Sequence, residues 1–204
     1  MERRASCYLF LCIFGAVLAS LSACRDSGSA LSSRESVDSS LKVAISIPPS
    51  RGARTLHYVK GRHFHVTLTN TSSHEIQLWR EWCSWGYFAL SFEVEDSDGK
   101  KWTIKRADRG WDKNYPDYFT LPPGESFPLD VELNDGTWEN LSVFEAPGPG
   151  FIRVPGYEDF PTDKMKNIRM RAIYEVRGDS DSRENDVWTG SVVSPWDDYI
   201  LSVE

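Results

Sequence analysis

Cysteine is scarce and badly placed for cross-linking. The 204-residue chain has four, and Cys7, Cys12 and Cys24 all lie at its start. Cys83 is therefore the single thiol of residues 25–204, and no disulfide framework can organise that stretch. Surplus positive charge is missing too: 23 Lys plus Arg stand against 30 Asp plus Glu, for a net charge of -7. A phosphate-binding surface needs clustered excess Lys and Arg, so nucleic acid is excluded as a partner. Amphipathic segments of three helical turns are nearly absent, and no internal repeat is visible. No CxxC, HExxH, GxSxG, Gly-rich phosphate loop or Ser-x-x-Lys with partners occurs, so no catalytic constellation, metal site or cofactor is expected. What is present is apolar: 40% hydrophobic and 13% aromatic residues, too much for a disordered chain. The length suits one domain of ordinary size, or one domain with appendages.

The appendage comes first. Arg3 and Arg4 precede the apolar run Tyr8 to Leu18, which gives way to small residues, the layout of a secretory signal. The run ends Leu21-Ser22-Ala23-Cys24, which resembles the lipobox of bacterial lipoproteins at all four positions. That resemblance implies cleavage by signal peptidase II before Cys24, acyl chains on Cys24 and a lipid bilayer as the first partner. Each buried methylene contributes about 0.8 kcal/mol, so two or more long chains anchor stably. Arg25, rather than Asp, follows the Cys, which in that family favours the outer membrane. An uncleaved membrane span and a secreted protein cut after Ala23 are the alternatives for the same run.

Residues 25–40 (RDSGSALSSRESVDSS) are Ser-rich, without apolar periodicity, and are expected to form a flexible tether. The expected organisation is thus a signal peptide over 1–23, acylated Cys24 and tether over 24–40, and one domain over 41–204. Removing Glu2, Arg3 and Arg4 leaves 21 basic and 29 acidic residues, a mature net charge of -8.

From Leu41 the pattern is strand. Leu41, Val43, Ile45 and Ile47 alternate with polar neighbours and stop at Pro48-Pro49. Phe64, Val66 and Leu68 do the same, as does Glu75-Ile-Gln-Leu-Trp79 on a smaller scale. Phe88, Leu90, Phe92 and Val94 share a face up to the turn Asp96-Ser-Asp-Gly99, and Trp102 and Ile104 start the return. Phe127 to Leu133, Ile168 to Val176, Val187 to Val193 and Tyr199 to Val203 complete eight or nine strands. Thr137 to Phe144 is expected to give a short helix, and Arg106 to Thr120 a long loop. Such a succession predicts an all-β antiparallel sandwich of two sheets.

Several strings carry a second resemblance. Val66-Thr-Leu-Thr-Asn70-Thr71, Phe92 to Lys100 with Trp102 beyond, Leu121-Pro-Pro-Gly-Glu-Ser-Phe127, Arg171-Ala-Ile-Tyr174 and Trp188 to Ser194 are similar to the immunoglobulin-like domain of the bacterial intracellular proteinase inhibitor family. This implies an immunoglobulin-like sandwich, and inhibition of a protease as one possible activity. The stretch from Arg106 to Thr120 is longer than that pattern requires.

Candidate chemistry is sparse. Trp79, Trp82, Trp85 and Tyr87 form the densest aromatic cluster, and Trp111, Tyr115, Tyr118 and Phe119 form another. Such rings either pack beneath the loops or make an exposed face that stacks on sugars or seats a protein. Trp79, Trp82, Trp85, Trp111, Tyr115 and Tyr118 are the candidate binding surface. His63 and His65 share one strand face, but without a third ligand at a metal spacing a solvated face is the simpler expectation. Cys83, among aromatic neighbours, is expected to be buried and inert. Asp96, Asp98 and Gly99, and the run Asp179, Asp181, Glu184 and Asp186, have carboxylates but not calcium-loop spacing. Asp112 and Asp117 are the carboxylates a hydrolase would use. Asn70-Thr-Ser72 and Asn140-Leu-Ser142 match the glycosylation sequon without expected consequence. The function expected is a non-enzymatic envelope lipoprotein binding a protein or glycan near the membrane. A protease-inhibitor-like domain is the first alternative, and a hydrolase the second.

Overall fold

The computed structural model describes residues 40–47, 55–58, 63–134, 136–141 and 165–203. The expected signal, Cys24 and nearly all of the tether lie outside the described residues.

In chain order the strands are β1 (Leu41–Ser46), β2 (Thr55–Tyr58), β3 (His63–Asn70), β4 (Ile76–Trp79), β5 (Leu90–Asp96), β6 (Lys101–Arg106), β7 (Tyr118–Leu121), β8 (Ser126–Glu132), β9 (Trp138–Glu139), β10 (Met165–Val176), β11 (Gly190–Val193) and β12 (Asp197–Val203). One-turn helices α1 (Ser84–Tyr87) and α2 (Ser180–Glu184) interrupt them. Strand β3 lies between β1 and β8 in a three-stranded antiparallel sheet. The larger sheet runs β2, β12, β10, β5, β6, β9. Strands β4 and β7 form a separate antiparallel pair.

Alternation in the sequence becomes inside and outside in the fold. Phe64, Val66 and Leu68 of β3 are buried, as are Leu90, Phe92 and Val94 of β5. Ile168, Met170, Ala172, Tyr174 and Val176 of β10 are buried likewise. The rings of Phe64 and Phe92 meet at 5.8 Å, so the inner faces of the two sheets pack on each other. The all-β sandwich expected from the sequence is the observed architecture. One pairing departs from the antiparallel expectation, because β2 runs parallel to β12.

The outer face of the large sheet is charged. Asp198, Arg169, Glu95 and Lys101 stand directly opposite one another on four adjacent strands, with separations of 3.7, 3.7 and 3.4 Å. Exposed pairs of this kind contribute only about 0–1 kcal/mol each. Their row still makes this face of the sandwich polar.

Strand β10 serves two partners along one edge, β12 with its first half and β11 with its second. Ser194 closes the step between them: its Oγ accepts the Ala172 N–H at 2.9 Å and its N–H donates to the Ala172 carbonyl at 2.8 Å. Asn70 closes another junction. Its Nδ2 donates to the His74 and Leu121 carbonyls at 2.8 and 2.9 Å, and its Oδ1 accepts from Ser72 N and Oγ at 2.9 and 2.7 Å. This side chain is fully buried and fully used, so the first sequon is a structural knot.

Three short strands were not expected. The segment beginning at Thr137, expected to be helical, instead pairs Trp138 with Arg106 as β9. The Trp138 indole donates to the Glu132 carbonyl at 2.9 Å, and Asn140 at φ 66° ends the strand. Residues 142–144 of that expected helix lie outside the described residues. The long loop from Arg106 ends earlier than expected, in β7. Strand β2 follows Pro48-Pro49 with too few residues to show a period. The turn at Asp96 is the expected hairpin, with Gly99 at φ 77°. There the Asp96 Oδ1 accepts the N–H groups of Asp98 and Lys100, each at 3.0 Å, as in an Asx turn.

Candidate functional site

The site is built where β4 ends and the chain turns into α1. Arg80 N donates to the Asp117 carbonyl at 3.0 Å, and the Arg80 guanidinium pairs with the Asp117 carboxylate at 3.3 Å. Cys83 is buried beneath, as expected, its Sγ 3.1 Å from the Arg80 carbonyl. Cys83 provides no side-chain cap for α1. The cap comes from the other loop instead: Asn114 Oδ1 accepts Ser84 N at 3.0 Å and its Nδ2 donates to Ser84 Oγ at 2.7 Å. Helix α1 approaches its own incoming strand so closely that a Cβ on Gly86 would collide with the Arg80 carbonyl. These contacts lace residues 80–88 and 107–117 together, so the two aromatic clusters of the sequence become one.

Within that unit the candidate rings part company. Trp79 is buried, which removes it from the binding surface. It packs against Trp85 at 5.8 Å and edge-on to Tyr118 at 6.3 Å, under the α1 turn. Trp82 and Tyr115 are 44% and 58% exposed, with ring centroids 5.3 Å apart in an edge arrangement. Trp111 is half-buried and meets Tyr87 at 5.5 Å and exposed Phe88 at 6.5 Å. Arg109 lies in the corner of Tyr87 and Trp111, 4.2 and 4.0 Å from their centroids, and its Nη2 is 3.5 Å from the Trp82 carbonyl. A continuous strip results: Phe88, Trp111, Arg109, Trp82, Tyr115. Trp85 and Tyr118 stand to its side. Phe88, expected on the buried face of Leu90, Phe92 and Val94, instead ends α1 and is exposed. Arg109 was missed by the sequence, because nothing local marks a cation that will lie against rings from another loop.

A hollow of about 370 Å³ opens beside the strip, lined in part by Glu81, Trp82, Arg106 and Arg109. Arg106 Nη2 meets Glu81 Oε1 at 2.7 Å. Its guanidinium lies 4.1 Å from the Trp138 centroid and 5.1 Å from that of Tyr87. Burial raises the Glu81 pKa and lowers that of Arg106, outweighing the attraction between them. A second groove of about 850 Å³ runs past Trp79, Trp85 and Phe88 to Lys105, Glu175 and Arg177.

The other candidates are occupied structurally. His65 faces Asp130 across the β3–β8 ladder at 2.7 Å, and His63 faces Glu132 at 3.7 Å. Among the described residues no three His, Cys, Asp or Glu side chains are grouped to hold a metal. The acidic run is a capped helix: Asp179 Oδ1 accepts Ser182 N at 2.7 Å, and Ser182 Oγ accepts Asp179 N at 2.8 Å. The Ser182 backbone N–H holds the Asp179 carboxyl below its usual pKa. Asp112 stands exposed on the loop, apart from both the hollow and the groove, while Asp117 is bound to Arg80.

No family model and no curated protein matches the chain. Among solved structures it is similar to the sporulation control protein Spo0M of Bacillus subtilis, at 12% identity and a TM-score of 0.27. The match covers 81% of this chain and spans 50% of the neighbour's length. So slight an overlap carries no assignment.

Proposed function

We propose that this chain is a lipid-anchored protein of the bacterial envelope, held by Cys24 at the outer membrane, whose sandwich is a non-enzymatic binding module. The Leu21-Ser22-Ala23-Cys24 string supports the anchor, and Arg25 supports the outer membrane. One observation carries the binding role: the exposed strip around Trp82 and Tyr115. Rings with an apolar body and a polar tip are the side chains that dominate binding hot spots. The protein partner or glycan meets that strip while the acyl chains keep the module near the membrane.

The anchor is tested by labelling cells with palmitate. Label on the wild type, lost in Cys24→Ser and shifted to a larger uncleaved form by a signal peptidase II inhibitor, is the expected result; an unlabelled wild type refutes it. The binding role is tested by a glycan array and by capture from detergent-solubilised envelopes, each with Trp82→Ala/Tyr115→Ala as control. Retention no better than that of an unrelated sandwich domain would sink it. A protease panel run alongside separates inhibition from binding.

A further inference from the structure

The hollow beside the strip carries charge opposite to that of the molecule. The whole chain has a net charge of -7, yet Arg106 and Arg109 line this wall with one carboxylate, Glu81. Glu81 is taken by Arg106 at 2.7 Å. Arg109 is left without a carboxylate partner among the described residues, since the neighbouring Asp108 Oδ1 accepts the Arg109 backbone N–H at 2.9 Å. The rings of Tyr87 and Trp111 hold the Arg109 guanidinium at 4.2 and 4.0 Å, and among the described residues its one side-chain hydrogen bond is the long contact to the Trp82 carbonyl. A guanidinium braced on ring faces keeps its donors in one plane, the geometry that grips a carboxylate with two parallel bonds. Ordering that side chain is done at folding, which lessens the entropy lost at binding. Exposed Trp82 and Tyr115 lie directly beyond it.

We infer that this site takes a saccharide bearing a carboxylate, the acid held by Arg109 and a sugar ring laid against Trp82 and Tyr115. The inference rests on the binding-module proposal and names the ligand class of the same surface. An acidic peptide suits the site less, because strand addition needs an open ladder and residues 107–117 form no strand. A neutral glycan leaves the Arg109 donors unused.

The test is calorimetric titration of the full chain in detergent micelles with galacturonate, glucuronate and N-acetylmuramate oligosaccharides. Their methyl esters and a hexaglutamate peptide serve as comparisons. At least one acidic saccharide binds, its ester binds about tenfold or more weakly, and Arg109→Gln loses a similar factor. Binding weakens as salt is raised. Arg109→Lys keeps the charge without the planar fork and also weakens binding, which covers a failure of Arg109→Gln to fold. The inference is overturned if no acidic saccharide binds, if the ester binds equally, or if both folded Arg109 variants bind like the wild type. If esters or peptide bind instead, and Trp82→Ala abolishes that, the binding module stands and the carboxylate saccharide falls. If none of these ligands binds, the carboxylate saccharide falls, and the array and the capture decide the binding module.

Discussion

The indole N–H of Trp85 donates to Asp181 Oδ2 at 3.1 Å, joining two one-turn helices that are 96 residues apart in the chain. An aromatic cluster and an acidic run, separate features of the sequence, are thus two sides of one contact. The acidic run needs no ion to explain it: Asp179 caps α2, and Asp181 receives the indole.

Removing the acceptor has a defined consequence. Asp181→Ala leaves the Trp85 N–H without its partner and is expected to cost about 1–2 kcal/mol in urea unfolding, with Asp181→Asn losing less. Added calcium leaves the melting temperature unchanged. An unaltered Asp181→Ala stability, or a calcium-dependent melt, contradicts the assignment.

Gly86 is required by space. A Cβ there would also lie 2.9 Å from the Trp79 carbonyl oxygen, so Gly86→Ala forces α1 away from β4. The expected loss is about 1–3 kcal/mol. Gly110, with nothing within 4 Å of a Cβ, is the control, and Gly110→Ala should stay within about 0.5 kcal/mol in thermal melts. Equal effects at the two glycines would refute the packing argument.

Asn70 holds the β3–β4 turn to the end of β7 through two donors and two accepted bonds. Asn70→Ala strands two carbonyls and is expected to cost about 3 kcal/mol. Asn70→Asp, which lacks both donors, should be no better at neutral pH. A denaturation midpoint close to wild type for either variant would exclude this role.

Tyr174 is buried, and among the described residues its hydroxyl has no hydrogen-bond partner. Tyr174→Phe is therefore expected to leave stability unchanged or raise it by up to about 1 kcal/mol. Burial also raises the phenol pKa above its ordinary 10.0. The folded state then keeps a proton that the unfolded state releases, so stability is full below pH 10 and declines as pH rises above it. Tyr174→Phe should flatten that alkaline decline, as read from unfolding midpoints across the range. A steep loss of stability at neutral pH on substitution would show a bond that the geometry lacks.

Much of the sandwich was legible because each long strand carries its own period. In β3, β5 and β10 successive residues face opposite sides of a sheet, so burial of one face is written directly as alternation. The strands of two to four residues escaped notice, since β2, β7 and β9 are too short to show a period and exist only through their partners. The helix expected from Thr137 failed for a related reason: Trp138 is placed by burial and its bond to Glu132, and tertiary packing overrode local propensity.

The candidate site was half legible. Aromatic residues announced themselves by density, but which rings are floor and which are surface depended on contacts between loops. Trp79 is covered because β4 pairs with β7 and α1 folds over it, whereas Trp82 is left in solvent three residues later. The sequence by itself determined the charge balance, the single thiol of residues 25–204, the alternating strands and the presence of many rings. Only the tertiary structure decided that Arg109 would lie between Tyr87 and Trp111, because a cation meets a ring face only after two distant loops have been laced together. The local chain encodes periodicity; the site is an encounter between segments.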